Sequence, residues 1–247
     1  MLTLQTGLMM FFAAAAGGLV QAVTGFGSGI VMMVFLPLFL PILQGSAVST
    51  LVNLPMMLSM IWTYRRHVKL EYMLKPIAFY MVVSTVSIRF AAGRDLSSLK
   101  LFFGLFLIAL SIYFLIFSEK LKIEASWLTA AICGIISGIA SGFFGIGGPP
   151  MVIYYMALTG GDKLVYLGTI QTFFLITSLY NTVVRFLNGI FTLSLIPFII
   201  LGTVGGMAGK VLGTKIVSKI NTALMKKLVY AFLGVSGLIN VISNLPK

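Results

Sequence analysis

The sequence predicts an all-α integral membrane protein, an inverted repeat of two halves with about five helical elements each. That makes 8–10 transmembrane segments, with short, interrupted helices at the repeat interface. Three observations carry this. Of 247 residues, 59% are hydrophobic and 9% charged, and the mean hydropathy is +1.08, against about 25% charged in soluble domains. The apolar runs are continuous over about the length a bilayer requires, and they do not alternate as porin strands do. A glycine cluster, Thr24-Gly25-Phe26-Gly27-Ser28-Gly29, recurs as Ser141-Gly142-Phe143-Phe144-Gly145-Ile146-Gly147-Gly148-Pro149-Pro150.

Taken in order, the first half (residues 1–120) reads as five elements. Thr3–Val23 is the first; the N-terminal MLTLQTG lacks the basic start of a signal peptide. Ile30–Leu43 follows the first glycine cluster and is short for a span. Ser46–Tyr64 stops at Arg65-Arg66, Pro76–Ala92 opens on a proline, and Leu101–Phe117 is uncharged. The second half (residues 121–247) repeats the pattern: Trp127–Ala140, then the very short Met151–Leu158 after the second cluster, Leu164–Val184, Phe191–Leu212 and Lys226–Ile242. The two halves form one membrane domain. Each short element is expected either to cross the bilayer tilted or to re-enter it as a hairpin.

Charge chooses the topology. Arg65, Arg66, Lys69 and Lys75 place the loop after the third element in the cytoplasm, and Lys210, Lys215, Lys219, Lys226 and Lys227 do the same for the loop before the last. Satisfying both puts most of the 17 Lys+Arg inside, inverts the halves, and leaves both termini outside.

The halves register beyond the glycines. Gly27 meets Gly145 and Asn53 meets Gln171 at one offset, and Pro76 meets Pro197 and Arg89 meets Lys210 at a slightly larger one. Paired interruptions at corresponding positions point to a transporter's substrate site. Glycine allows backbone to leave the helix and approach a ligand, and non-helical backbone survives in hydrocarbon only beside protein or a wet cavity. Each short helix then begins with unpaired N–H groups at the positive end of its dipole, and Pro149 and Pro150 suit a first turn. Inversion brings the two starts together as an anion site built mainly of backbone.

The candidate substrate-binding residues are therefore Thr24, Gly25, Phe26, Gly27, Ser28 and Gly29; Ser141, Gly142, Phe143, Gly145, Gly147 and Gly148; and the amides of Asn53 and Gln171. Arg89, Arg185 and Lys210 are candidate anion contacts. All three fall near predicted helix ends, where snorkelling to the interface is the preferred reading. Gly202, Gly205, Gly206, Gly209 and Gly213 read as a packing stripe.

Other classes find little support. The acids Glu71, Asp95, Glu119, Glu124 and Asp162 all map to loops or turns, so no carboxylate sits mid-membrane to relay protons or hold a cation. The glycine clusters lack a nucleotide-loop lysine. There is no metal-ligand set, no catalytic group and no expected cofactor, and the chain does not read as an enzyme. Cys133 is the sole cysteine and excludes an intrachain disulfide. The net charge of +12 sits in short loops without an aromatic groove, which argues for topology and lipid contact and against nucleic acid. The expected partners are a small anionic substrate and the lipid bilayer, and the small-residue faces permit a homodimer.

TGFGSGIVMMVFLPLF and SGFFGIGGPPMVIYYMAL resemble the duplicated signatures of the TauE/SafE sulfite exporter family over nearly the whole chain. The resemblance implies a bacterial inner-membrane carrier of sulfur-containing anions (sulfite, sulfoacetate or related organosulfonates) and carries the motif onto Gly25, Phe26, Gly27 and Gly29, then Gly142, Phe143, Gly145, Gly147 and Gly148. The first copy lacks the Gly-Pro-Pro ending of the second, so the two halves are not expected to contribute equally. A passive anion channel and a non-transporting membrane scaffold or assembly protein are the rival readings.

Overall fold

The computed structural model describes residues 3–92, 99–117, 124–216 and 222–244. The boundary expected at 120/121, together with Asp95 and Glu119, lies outside the described residues. The elements are α1 (Leu4–Thr24), α2 (Ser28–Phe35), α3 (Ile42–Tyr64), α4 (Leu74–Ala91), α5 (Leu99–Ile112), α6 (Trp127–Phe144), α7 (Gly148–Leu158), α8 (Lys163–Leu187), α9 (Ile196–Ile216) and α10 (Thr222–Asn244). Among the described residues, six helical stretches, the regions of α1, α3, α4, α6, α8 and α9, are long and apolar enough to cross a membrane. No strand occurs among the described residues. Outward faces expose large apolar side chains such as Phe12, Trp62, Val82 and Leu187, which suits contact with lipid.

The same device starts both halves. Thr3 caps α1 in a reciprocal box with Thr6, and Ser126 caps α6 in one with Thr129. Both first helices stop on a left-handed glycine, Gly25 with φ 83 and Gly145 with φ 70, a conformation a side chain resists. Several boundaries differ from those the sequence suggests, and two bear on the site. The second element ends early, at Phe35 with a 3-10 turn over Leu36–Leu38, because Pro37 and Pro41 interrupt it; α3 then starts at Ile42. The sixth element runs past Ala140 to Phe144, because Gly142 stays helical against Ser84 and Ser87 of α4 and the break falls at Gly145.

Packing is symmetric under exchange of the halves. α1 packs on α9 as α6 packs on α4, α3 on α9 as α8 on α4, and α3 pairs with α8 and α5 with α10. The glycines reveal the directions. Gly205, Gly209 and Gly213 of α9 abut Phe11, Ala15 and Leu19 of α1 in rising order, so those helices run parallel. Gly134, Gly138 and Gly142 of α6 abut Pro76, Tyr80 and Ser84 of α4 in the same way. By contrast Thr50 meets Arg185 and Tyr64 meets Gly168, so α3 and α8 are antiparallel. Gly104 meets Val241 and Gly234 meets Ser111, so α5 and α10 are antiparallel too. A two-fold axis that exchanges antiparallel partners must lie across the helices, not along them. The halves are therefore inverted.

Candidate functional site

The two helix breaks meet. Gly25-Phe26-Gly27 turns the chain from α1 into α2, and Gly27 has φ 100. Gly145-Ile146-Gly147 turns it from α6 into α7. Gly29 and Gly145 are so close that a Cβ on Gly29 would lie 3.7 Å from the Gly145 carbonyl oxygen and 3.4 Å from Ser49 Oγ.

Between them is a cavity of about 70 Å³. A water needs about 10–15 Å³ on this scale, so the space suits a few waters or one small oxyanion. Phe26, Gly27 and Gly29 line it from one break and Gly145, Gly147 and Gly148 from the other, with Asn53 and Ser141 alongside. The α2 start offers the N–H groups of the cavity-lining Gly29 and Ile30, since the first intrahelical bond is Val31 N–H to the Gly27 carbonyl at 3.0 Å. Pro149 and Pro150 have no N–H, so α7 offers little beyond Gly148. The site is lopsided toward the first half in backbone donors.

The second half compensates with side chains. Asn181 Nδ2 donates to Ser141 Oγ at 3.0 Å and to Tyr80 Oη at 3.1 Å, while its Oδ1 accepts from Ser84 at 2.9 Å. Tyr80 Oη also donates to Ser141 Oγ. With two donors aimed at it, the Ser141 hydroxyl must direct its own proton elsewhere, and Ser141 lines the cavity. Behind this wall Arg185 is 1% exposed. Its Nη2 donates to the Ser141 carbonyl at 2.7 Å and its Nη1 to Thr50 Oγ1 at 3.1 Å. No described acid is buried: Glu71, Glu124 and Asp162 are all exposed. The guanidinium instead faces the carbonyl end of α6, the negative pole of that helix.

The family model for the sulfite exporter TauE/SafE matches residues 10–239. The chain belongs to the TauE/SafE family. Comparison with curated proteins and with solved structures finds no match. This TauE/SafE protein is thus a multi-pass membrane protein of a transporter family.

The remaining predicted residues of this TauE/SafE chain lie off the cavity. Thr24 donates to the Val20 carbonyl at 2.8 Å and the Phe26 carbonyl at 2.6 Å, and borders an apolar cleft with Phe114 and Tyr230. The Gly25 carbonyl accepts from Gln171 Nε2 at 2.6 Å, a bond between the halves. Ser28 is wholly buried and close to Gly17. Gly142 packs on α4, and Phe143 makes an edge contact with Phe90. Arg89 is exposed at the end of α4, as snorkelling requires. Lys210 is half-buried and donates to Ser59 Oγ, away from the cavity. Arg185 corrects the snorkelling expectation: α8 continues to Leu187 and turns this side chain into the protein.

Sequence reasoning passed over Gln21, Thr50, Tyr80, Thr177 and Ser178, which also line the cavity, and Asn181 behind it. Their only signal is polarity within apolar helices, which many buried groups share.

Proposed function

We propose that this protein is a secondary carrier for small sulfur-containing anions (sulfite, sulfoacetate or a related organosulfonate), exporting them across a bacterial inner membrane. The observation that carries the reading is that both helix breaks open onto one small polar cavity backed by Arg185. Helix starts and hydroxyl donors favour an anion there, and the buried guanidinium has no carboxylate to neutralise it among the described residues. An intramembrane cation kept at such cost is expected to serve a functional charge.

The inverted halves support alternating access by rocking one repeat against the other around the site. Export needs no coupled ion: an inside-negative potential drives an anion outward with roughly 2.3 kcal/mol per charge per 100 mV. Charge supports the orientation. The C-terminal ends of α3 and α9 and the N-terminal ends of α4 and α8 share one side, and Arg65, Arg66, Lys69, Lys75, Lys163 and Lys215 gather there. That side is cytoplasmic by the positive-inside rule, which leaves both termini outside.

Flux of sulfite into liposomes containing the purified protein tests this. A carrier gives saturable uptake that is stimulated by anion inside the vesicle. Conductance that rises without saturation would make it a channel, and absence of both flux and anion-dependent thermal stabilisation would make it a scaffold.

A further inference from the structure

The cavity holds one buried acceptor with nothing to accept. Asn53 is 5% exposed and lines the cavity. Its Nδ2 donates to the Ser49 carbonyl at 2.8 Å, one turn back in α3, and this sets the orientation of the amide. Its Oδ1 is buried without a hydrogen-bond partner. Three neighbouring hydroxyl protons are committed elsewhere, and the uncommitted hydroxyls of Ser49 and Ser141 make no hydrogen bond to Oδ1. Thr50 Oγ1 donates to the Ser46 carbonyl at 2.7 Å, Thr177 Oγ1 to the Phe173 carbonyl at 2.8 Å, and Tyr80 Oη to Ser141 Oγ. Each would abandon an acceptor by turning to Asn53.

A buried acceptor left unmet is costly, and the cost is relieved only by a donor. A ligand that completes this site therefore brings one. We propose that the substrate is an oxyanion carrying its own proton, as an O–H on the acid group or on a short tail, and that Asn53 is the specificity-determining residue that reads it. Oδ1 accepts the substrate's O–H while the starts of α2 and α7 hold its negative oxygens. An anion with acceptors only sets a lone pair against Oδ1 and is disfavoured. The inference rests on the anion reading above. Gln171 shows the same pattern, with Nε2 spent on the Gly25 carbonyl and Oε1 unpartnered, but it does not line the cavity and is not part of the proposal.

The test is calorimetric titration of the purified full-length protein at pH 6 with four probes. Dihydrogenphosphate and methanesulfonate are compact monoanions with and without an acid O–H. Hydroxymethanesulfonate carries its O–H on the tail, and sulfate has none. Donor-bearing probes are expected to bind about tenfold tighter than methanesulfonate, and which of the two wins distinguishes the acid O–H from the tail O–H. Asn53→Leu, similar in size but without the acceptor, is expected to bring that ratio near one. Equal binding of dihydrogenphosphate, hydroxymethanesulfonate and methanesulfonate by the native protein overturns the inference without any variant, and so does a preference that survives Asn53→Leu. If none of the four binds, the anion reading itself fails and takes the inference with it.

Discussion

Arg185 Nη2 and the Ser141 carbonyl lie 2.7 Å apart, joining the end of α8 to the last turn of α6. The same guanidinium reaches Thr50 of the first half. One buried cation thus ties both repeats to the wall of the cavity. Arg185→Gln leaves the Ser141 carbonyl without its cationic donor and is expected to cost about 1–3 kcal/mol of stability. Anion affinity should fall at least about tenfold, because a charge-assisted field is lost. Arg185→Lys keeps the charge and should recover part of the affinity. Thermal melts combined with anion titration separate the two effects; a lower melting temperature with unchanged affinity would make Arg185 a tether only.

Gly29 offers the gentlest test of the cavity. A methyl there meets ordinary contacts at 3.4 Å or more, so Gly29→Ala should fold with nearly native stability yet intrude between the two breaks. Anion-dependent stabilisation should shrink severalfold. Gly27→Val and Gly145→Val are harsher, since φ is 100 and 70 at these positions and a left-handed residue costs about 1–2 kcal/mol even without branching. Both should abolish binding, and size-exclusion chromatography would check that the protein remains folded. Retained binding in either variant moves the site elsewhere.

The stripe on α9 is structural. A side chain at Gly209 would collide with the Ala15 backbone, and one at Gly205 with that of Phe11. Gly209→Leu should force α1 from α9 and yield aggregated or degraded protein, with a loss of several kcal/mol as expected of core overpacking. Arg89→Gln, at an exposed position, should be nearly neutral in stability. Expression level and melting temperature compare the two.

The orientation predicts reporter activity. Alkaline phosphatase fused at the C-terminus should be active and a fluorescent protein fused there dark, while a fluorescent insertion in the loop between α3 and α4 should be bright. The opposite pattern would reverse the direction assigned to every helix.

Much of this architecture is legible in the chain. Length and apolarity specify spans because a bilayer demands both. Gly25, Gly27, Gly145 and Gly147 mark the breaks because backbone conformation is a local property. Thr3 and Ser126 mark the starts for the same reason. Facing was decided only by the tertiary structure. In a soluble helix the polar side looks outward, so pattern reveals the core. In a bilayer, lipid and protein interior are both apolar, and neither Arg185 nor Asn181 declares from sequence whether it turns toward water, lipid or a neighbour. Contact of α8 with α3, α4 and α6 turned them inward, joined them to Tyr80 and Ser141, and left Gln171 off the cavity while its repeat partner Asn53 lines it.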